Sequence, residues 1–182
     1  MNSTSTPGTV VRWDRSGNIT KLKSPDDPYY TYAELRDVND RGTAVGANGT
    51  GEDWVAALAP PGGTFAPLPG ARHKSTVTDV NATDVALGGV NGAAVRWEGG
   101  EMVRLQPVTG TVDVQASALN DAGTVVGSSS VNAVTWDATG QPTKLSVPSD
   151  TRSARGLAIN RSGQVLGYVD TWGRGRLPVV WR

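Results

Sequence analysis

Cysteine is absent from the 182 residues, which removes disulfide frameworks and thiolate metal sites. There is one Phe, which with the plentiful glycine suits short strands joined by tight turns, and one His, His73, so a multi-histidine metal centre has no raw material. No apolar run reaches the roughly 18–20 residues a membrane span needs. The opening residues lack a basic-then-apolar leader, so an export signal is not expected and residues 1–8 read as a polar, disordered tail. Charge of one sign is lacking too. Lys plus Arg and Asp plus Glu both total 17, and a balanced chain has no net field to attract nucleic acid or an anionic membrane. No stretch sustains a 3.6-residue apolar period, so helix is not expected.

What the chain has is glycine, 23 residues of it, distributed in a repeat. The sequence Ala118-Leu119-Asn120-Asp121-Ala122-Gly123-Thr124-Val125-Val126-Gly127 has counterparts at Asp37 to Gly46, Asp79 to Gly88 and Ala158 to Gly167. The four asparagines, Asn39, Asn81, Asn120 and Asn160, recur about every 40 residues, a period that marks strand-built repeat folds. A second element alternates with the first: Val10 to Trp13, Val55 to Leu58, Ala94 to Trp97, Ala133 to Trp136, and a last copy at Val179 to Trp181.

Each unit therefore reads as four short strands, A ending at the Trp, B at a Leu, C at the Asn and D at the Gly. Asp or Asn in first place and Gly in fourth specify type I turns closed by a left-handed residue, and the Asx side chain can bond the backbone two residues on. Asp84 takes the glycine place in the second unit and must accept positive φ there. Uninterrupted apolar residues such as Val125 and Val126 predict strands covered on both faces.

The expected fold is all-β: a small β-propeller of four blades, each a four-stranded antiparallel meander, with one extra strand. The tail (1–8) precedes a single domain (9–182) of repeats at about 9–54, 55–92, 93–132 and 133–177, with a closing strand at 178–182. The alternative is part of a larger propeller completed by oligomerisation.

The Leu119–Gly127 and Ala133–Asp137 segments resemble the HAF-type extracellular repeat family of bacteria. The resemblance extends over residues 9–182 and departs from the pattern at Leu58, in place of Trp, and at Asp84. It implies an extracellular setting and attaches no catalytic residues. Without a visible leader, a cytoplasmic setting stays open.

Strand parity puts the A–B and C–D turns on one edge and the B–C and D–A connections on the other. The second set reads as long and varied, so the functional face is expected there. Its B–C loops run over 23–33, 69–76, 106–115 and 146–154, and its D–A loops over 47–54, 89–92, 128–132 and 168–177. These carry the aromatics that the repeat does not use: Trp54, Trp172, Tyr29, Tyr30, Tyr32 and Tyr168. Together with Arg174 they form the candidate ligand-binding set.

Trp13, Trp97, Trp136 and Trp181 follow the repeat and read as packing between blades. His73, beside Arg72 and Lys74, reads as solvated. The acids Asp26, Asp27, Glu52 and Asp53 match no calcium loop, and no metal or cofactor is expected. Arg174 and Arg176, near Trp172, could grip a carboxylate or a phosphate as a fork.

The leading functional reading is a non-enzymatic binding module for a carbohydrate, a small molecule or a protein, monomeric or a small homo-oligomer. A second is a cofactor-free cyclase, lyase or isomerase of secondary metabolism, using Tyr29, Tyr30, Asp53, Asp170 or His73 as acid and base. A third is a structural or assembly module.

Overall fold

The computed structural model describes residues 10–13, 16–22, 32–50 and 53–182. Tyr29, Tyr30, Asp26, Asp27, Glu52 and the 1–8 tail lie outside the described residues. Seventeen strands and no helix occur among those described. Strands β1 (Val10–Trp13) and β2 (Ile19–Leu22) form a hairpin. Then come β3 (Tyr32–Val38), β4 (Ala44–Thr50), β5 (Asp53–Ala59) and β6 (Ala66–Pro67), ordered as a meander. The next meander holds β7 (Ser75–Val80), β8 (Ala86–Val90), β9 (Ala93–Glu98) and β10 (Glu101–Arg104). A third holds β11 (Val114–Leu119), β12 (Val125–Ser129), β13 (Asn132–Trp136) and β14 (Pro142–Lys144). The last sheet has three strands, β15 (Thr151–Ile159), β16 (Val165–Thr171) and β17 (Gly175–Trp181).

The class is all-β, built of small antiparallel meanders of propeller-blade type. In repeat letters each four-stranded sheet runs C-D-A-B, half a unit out of phase with the A-B-C-D order in which the sequence repeats. Compact units comprise residues 1–92 with 97–102, and residues 93–96 with 103–182.

The C–D turns form as their residues dictate. Asn39 N–H donates to Thr43 O at 3.0 Å, and Gly42 N–H to Asn39 O at 2.9 Å. The Asn39 Oδ1 accepts from the backbone of Arg41 and Thr43. Gly42, Gly123 and Gly163 take φ near 80°, and Asp84 adopts φ 65° in the equivalent place.

The asparagine amides also work between sheets. Asn39 Nδ2 donates to Asn81 O at 2.7 Å and to Asp84 Oδ1 at 2.8 Å, and in the other unit Asn120 Nδ2 donates to Asn160 O at 3.1 Å. One residue closes its own turn and ties it to the next.

The repeat tryptophans lock adjoining sheets. Trp97 Nε1 donates to Pro69 O, Trp136 Nε1 to Gln106 O and Trp181 Nε1 to Ser146 O, at 2.7–2.9 Å. Each acceptor directly follows the Leu that ends a B strand. Trp97 and Trp136 are buried, but Trp13 is 62% exposed. Arginine supplies a second link: Arg12 Nη1 bonds Gly42 O, and the fully buried Arg96 Nη1 bonds Gly123 O. Val125 and Val126 are entirely buried, each contributing about 1.5–3 kcal/mol of burial.

A recurring irregularity was not visible in the residue pattern. Every C strand slips register near its end, with Arg36, Thr78, Ser117 and Leu157 as the extra residues. Each lies three positions before the turn asparagine. Beside each bulge the strand backbones run so close that the D-strand glycine is required. A β-carbon on Gly46, Gly88, Gly127 or Gly167 would collide with the carbonyl oxygen of Glu34, Thr76, Gln115 or Arg155 respectively.

Candidate functional site

The D–A connections are not long loops, which corrects half of the expected functional face. β4 continues to Thr50 and β5 starts at Asp53. Asn91-Gly92 and Ser130-Val131 close hairpins, with positive φ at Asn91, Gly92 and Ser130. β16 extends to Thr171 and β17 resumes at Gly175. The ladder runs on past the motif glycine because the following residues still pair, as Gly49 does with Trp54 and Tyr168 with Pro178. Trp54, Tyr32 and Tyr168 therefore stand on strands, and among the described candidates only Trp172 and Arg174 occupy a turn. The B–C segments between β6 and β7, β10 and β11, and β14 and β15 do remain extended connections.

The sequence candidates separate into two groups, one in each unit. In the first, Tyr32, Gly49 and Trp54 share one row of the ladder across β3, β4 and β5. Two residues along the same face come Glu34 and Ala47, then the bulged Arg36. Facing them is β7. Together they enclose a cleft of about 660 Å³ lined by Glu34, Arg36, Ala47, Trp54, Lys74 and the Thr76–Thr78 segment. Ala47 is the small side chain in that lining, whereas Gly49 is glycine because a β-carbon there would collide with the Asp53 carbonyl oxygen.

Lys74 is held there by its neighbour. The buried Ser75 hydroxyl donates to Arg72 O and accepts from Ala56 N–H on β5 at 2.8 Å. That fastens the β6–β7 connection to the sheet and puts Lys74 at φ 60°. A left-handed lysine carries strain of about 1 kcal/mol. Glu34 and Arg36 pair at 3.2 Å on the surface. Beside Trp54 and Lys74, Asp53 Oδ1 and His73 Nδ1 stand 3.9 Å apart, both half-exposed or more.

The second group is at the β16–β17 turn. Arg152 lies over the Trp172 ring at 4.2 Å, and Arg176 over the Tyr168 ring at 3.9 Å. Arg176 also grips Asp170 as a fork, at 3.1 and 3.2 Å, and Ser153 Oγ donates to the same carboxylate. The Arg176 hydrogen bond, foremost, holds the Asp170 carboxyl below its usual range, and Asp170 in turn raises the Arg176 guanidinium. Arg174 pairs with Asp150 at 2.9 Å. Arg174 and Arg176 are thus already occupied within the chain, as is Asp170. Trp172 itself is 69% exposed.

Sequence reasoning missed Glu34, Arg36, Thr76 and Arg152. Arg36 could have been noticed, because the equivalent places hold Thr78, Ser117 and Leu157 and so vary within an otherwise regular repeat. That those places are bulges was not readable.

No family model matches the chain, and no curated protein does. Among solved structures it is similar to the crystal structure of Porphyromonas gingivalis dipeptidyl peptidase 4, with a TM-score of 0.56 and 18% identity. That match covers 92% of this chain but 26% of the other, so the chain spans about a quarter of that protein's length. The likeness concerns the fold.

Proposed function

We propose that the protein is a ligand-binding module of HAF-repeat type, and that the cleft at Trp54 receives a carbohydrate. The observation that carries this is one aromatic face beside convergent charged and hydroxyl groups in an open cleft of about 660 Å³. A pocket of this size lies within the range of small-molecule sites. Sugar rings offer an apolar C–H face to an indole and hydroxyls to carboxylate, guanidinium, ammonium and threonine. Trp54, Glu34, Arg36, Lys74 and Thr76 present those partners.

An acid–base role for Asp170 fits poorly with its fork to Arg176 and its bond from Ser153. The test is binding of the labelled protein to a broad glycan array, with Trp54→Ala and Lys74→Ala variants alongside. A selective signal lost on Trp54→Ala supports the reading. Silence from folded wild type retires it and moves the search to protein partners.

A further inference from the structure

We propose that the recess at the β16–β17 turn is a second binding site, for a carboxylate-bearing ligand, in which Arg152 makes the bidentate contact and Trp172 holds it in place. The site lies in the other compact unit and does not depend on the Trp54 reading.

The backbone is the first support. Besides the repeat bulge at Leu157, β15 slips register a second time: Thr151 pairs with Thr171 and Ser153 with Asp170, leaving Arg152 as the extra residue. None of β3, β7 and β11 has this second slip in its ladder. A bulge re-aims the side chain it carries and is frequent beside functional sites. Here it directs Arg152 over Trp172.

The charges are the second support. Arg174 is taken by Asp150 and Arg176 by Asp170, which also accepts from Ser153. Among the described residues no carboxylate stands within salt-bridge distance of Arg152, although its charge reaches the Asp170 carboxylate that Arg176 already holds. A guanidinium lying on an indole face keeps its N–H groups in its own plane and directed outward, where a carboxylate can accept two of them. The stack also removes rotamer freedom before any ligand arrives.

The space is the third. A recess of about 310 Å³ is lined by Val131, Arg152, Ser153, Asp170, Thr171 and Gly175. It admits one sugar ring or one amino-acid residue. A monoanion suits it better than phosphate, because the Asp170 carboxylate forms part of the wall and repels a dianion more strongly.

A carboxylate of this size could come from a uronic sugar or from the C-terminus of a peptide. The test follows the Trp172 indole signal in ¹H–¹⁵N NMR spectra of the whole protein, assigned with Trp172→Phe. The probes are glucuronate, glucose, N-acetylalanine, N-acetylalaninamide and inorganic phosphate. One or both carboxylates should shift the signal and saturate at about 1–10 mM, as befits a single ion-pair contact. Arg152→Lys, which keeps the charge and loses the planar fork, should weaken binding about tenfold. Arg152→Ala should abolish saturation, and Trp54→Ala should leave it unchanged.

Stronger binding of glucuronate identifies an acidic sugar, and stronger binding of N-acetylalanine a peptide terminus. The proposal is overturned if neither carboxylate binds, if the neutral partners or phosphate bind as well, or if a folded Arg152→Ala retains the wild-type response.

Discussion

Trp54 and Trp172 both belong to D–A hairpins, the first on the A strand past its turn and the second in the turn itself, and their surroundings differ. Trp54 is half-buried on β5 and lines a cleft with the small Ala47 and with residues of β7. Trp172 stands out from the turn, with one guanidinium on its face and two others already engaged nearby. Both arrangements mix charges of both signs, but the first is the larger cleft, and the second sets an arginine outside any salt bridge on an aromatic support. The blade supplies the same edge in both cases. What occupies that edge is set by the size of the residues beside the tryptophan and by where the strand slips.

The largest expected effect separates tryptophans that hold the scaffold from those that face solvent. Trp136→Ala removes a fully buried indole and its bond to Gln106, and should cost about 3–5 kcal/mol in urea unfolding. Trp13→Ala, at an exposed copy of the same repeat position, should stay within about 0.5 kcal/mol. Equal losses would mean that Trp13 is covered in solution.

Next comes the asparagine ladder. Asn120 is buried and bonds both Thr124 N–H and Asn160 O, so Asn120→Ala should cost about 1–3 kcal/mol. Asn160 is exposed and its amide bonds Gln164 within its own turn, so Asn160→Ala should cost less. A reversed ranking would show that the bond between sheets adds little to the turn.

The two candidate sites can be broken separately. Trp54→Ala should weaken binding in its cleft at least tenfold, about 1.4 kcal/mol, without changing the unfolding midpoint by a comparable amount. Trp172→Ala should leave that binding intact. Loss of that binding in folded Trp172→Ala as well would overturn its assignment to the Trp54 cleft.

The smallest effect is in acid. Burial alone would raise the Asp84 carboxyl, but hydrogen bonding, including that from Asn39, and the charge of Arg41 outweigh it and leave it below 3.8. A carboxyl depressed on folding stabilises the protein above its unfolded value, and that stabilisation is lost as pH falls through the folded one. Asp84→Asn keeps the tolerance for positive φ and an acceptor oxygen. It should flatten the decline in melting temperature below about pH 4. An unchanged acid slope would show that other carboxylates govern it.

Much of the scaffold was legible because its signals are local. Asn39 and Gly42 specify their turn wherever they occur, and Asp84 could be placed at positive φ from its alignment with three glycines. The repeat tryptophans read as packing, and Trp97 and Trp136 are packed. The D–A edge misled because Trp54 and Tyr168 break the repeat, and a broken repeat resembles a loop. Cross-strand pairing keeps such residues in the ladder regardless of their type, since backbone hydrogen bonds do not depend on side-chain identity.

The sequence by itself determined the strand-and-turn repeat, the all-β class and the residues that close each turn, because these rest on the φ preferences and hydrogen-bonding groups of a few neighbouring residues. Only the tertiary structure decided that sheets are counted from the C strand, that Arg36 and Arg152 sit on bulges, and which arginine is left without a carboxylate. The first two depend on how neighbouring strands pair and where their register slips, the third on which side chains that pairing brings together, and pairing is a property that no single strand's sequence contains.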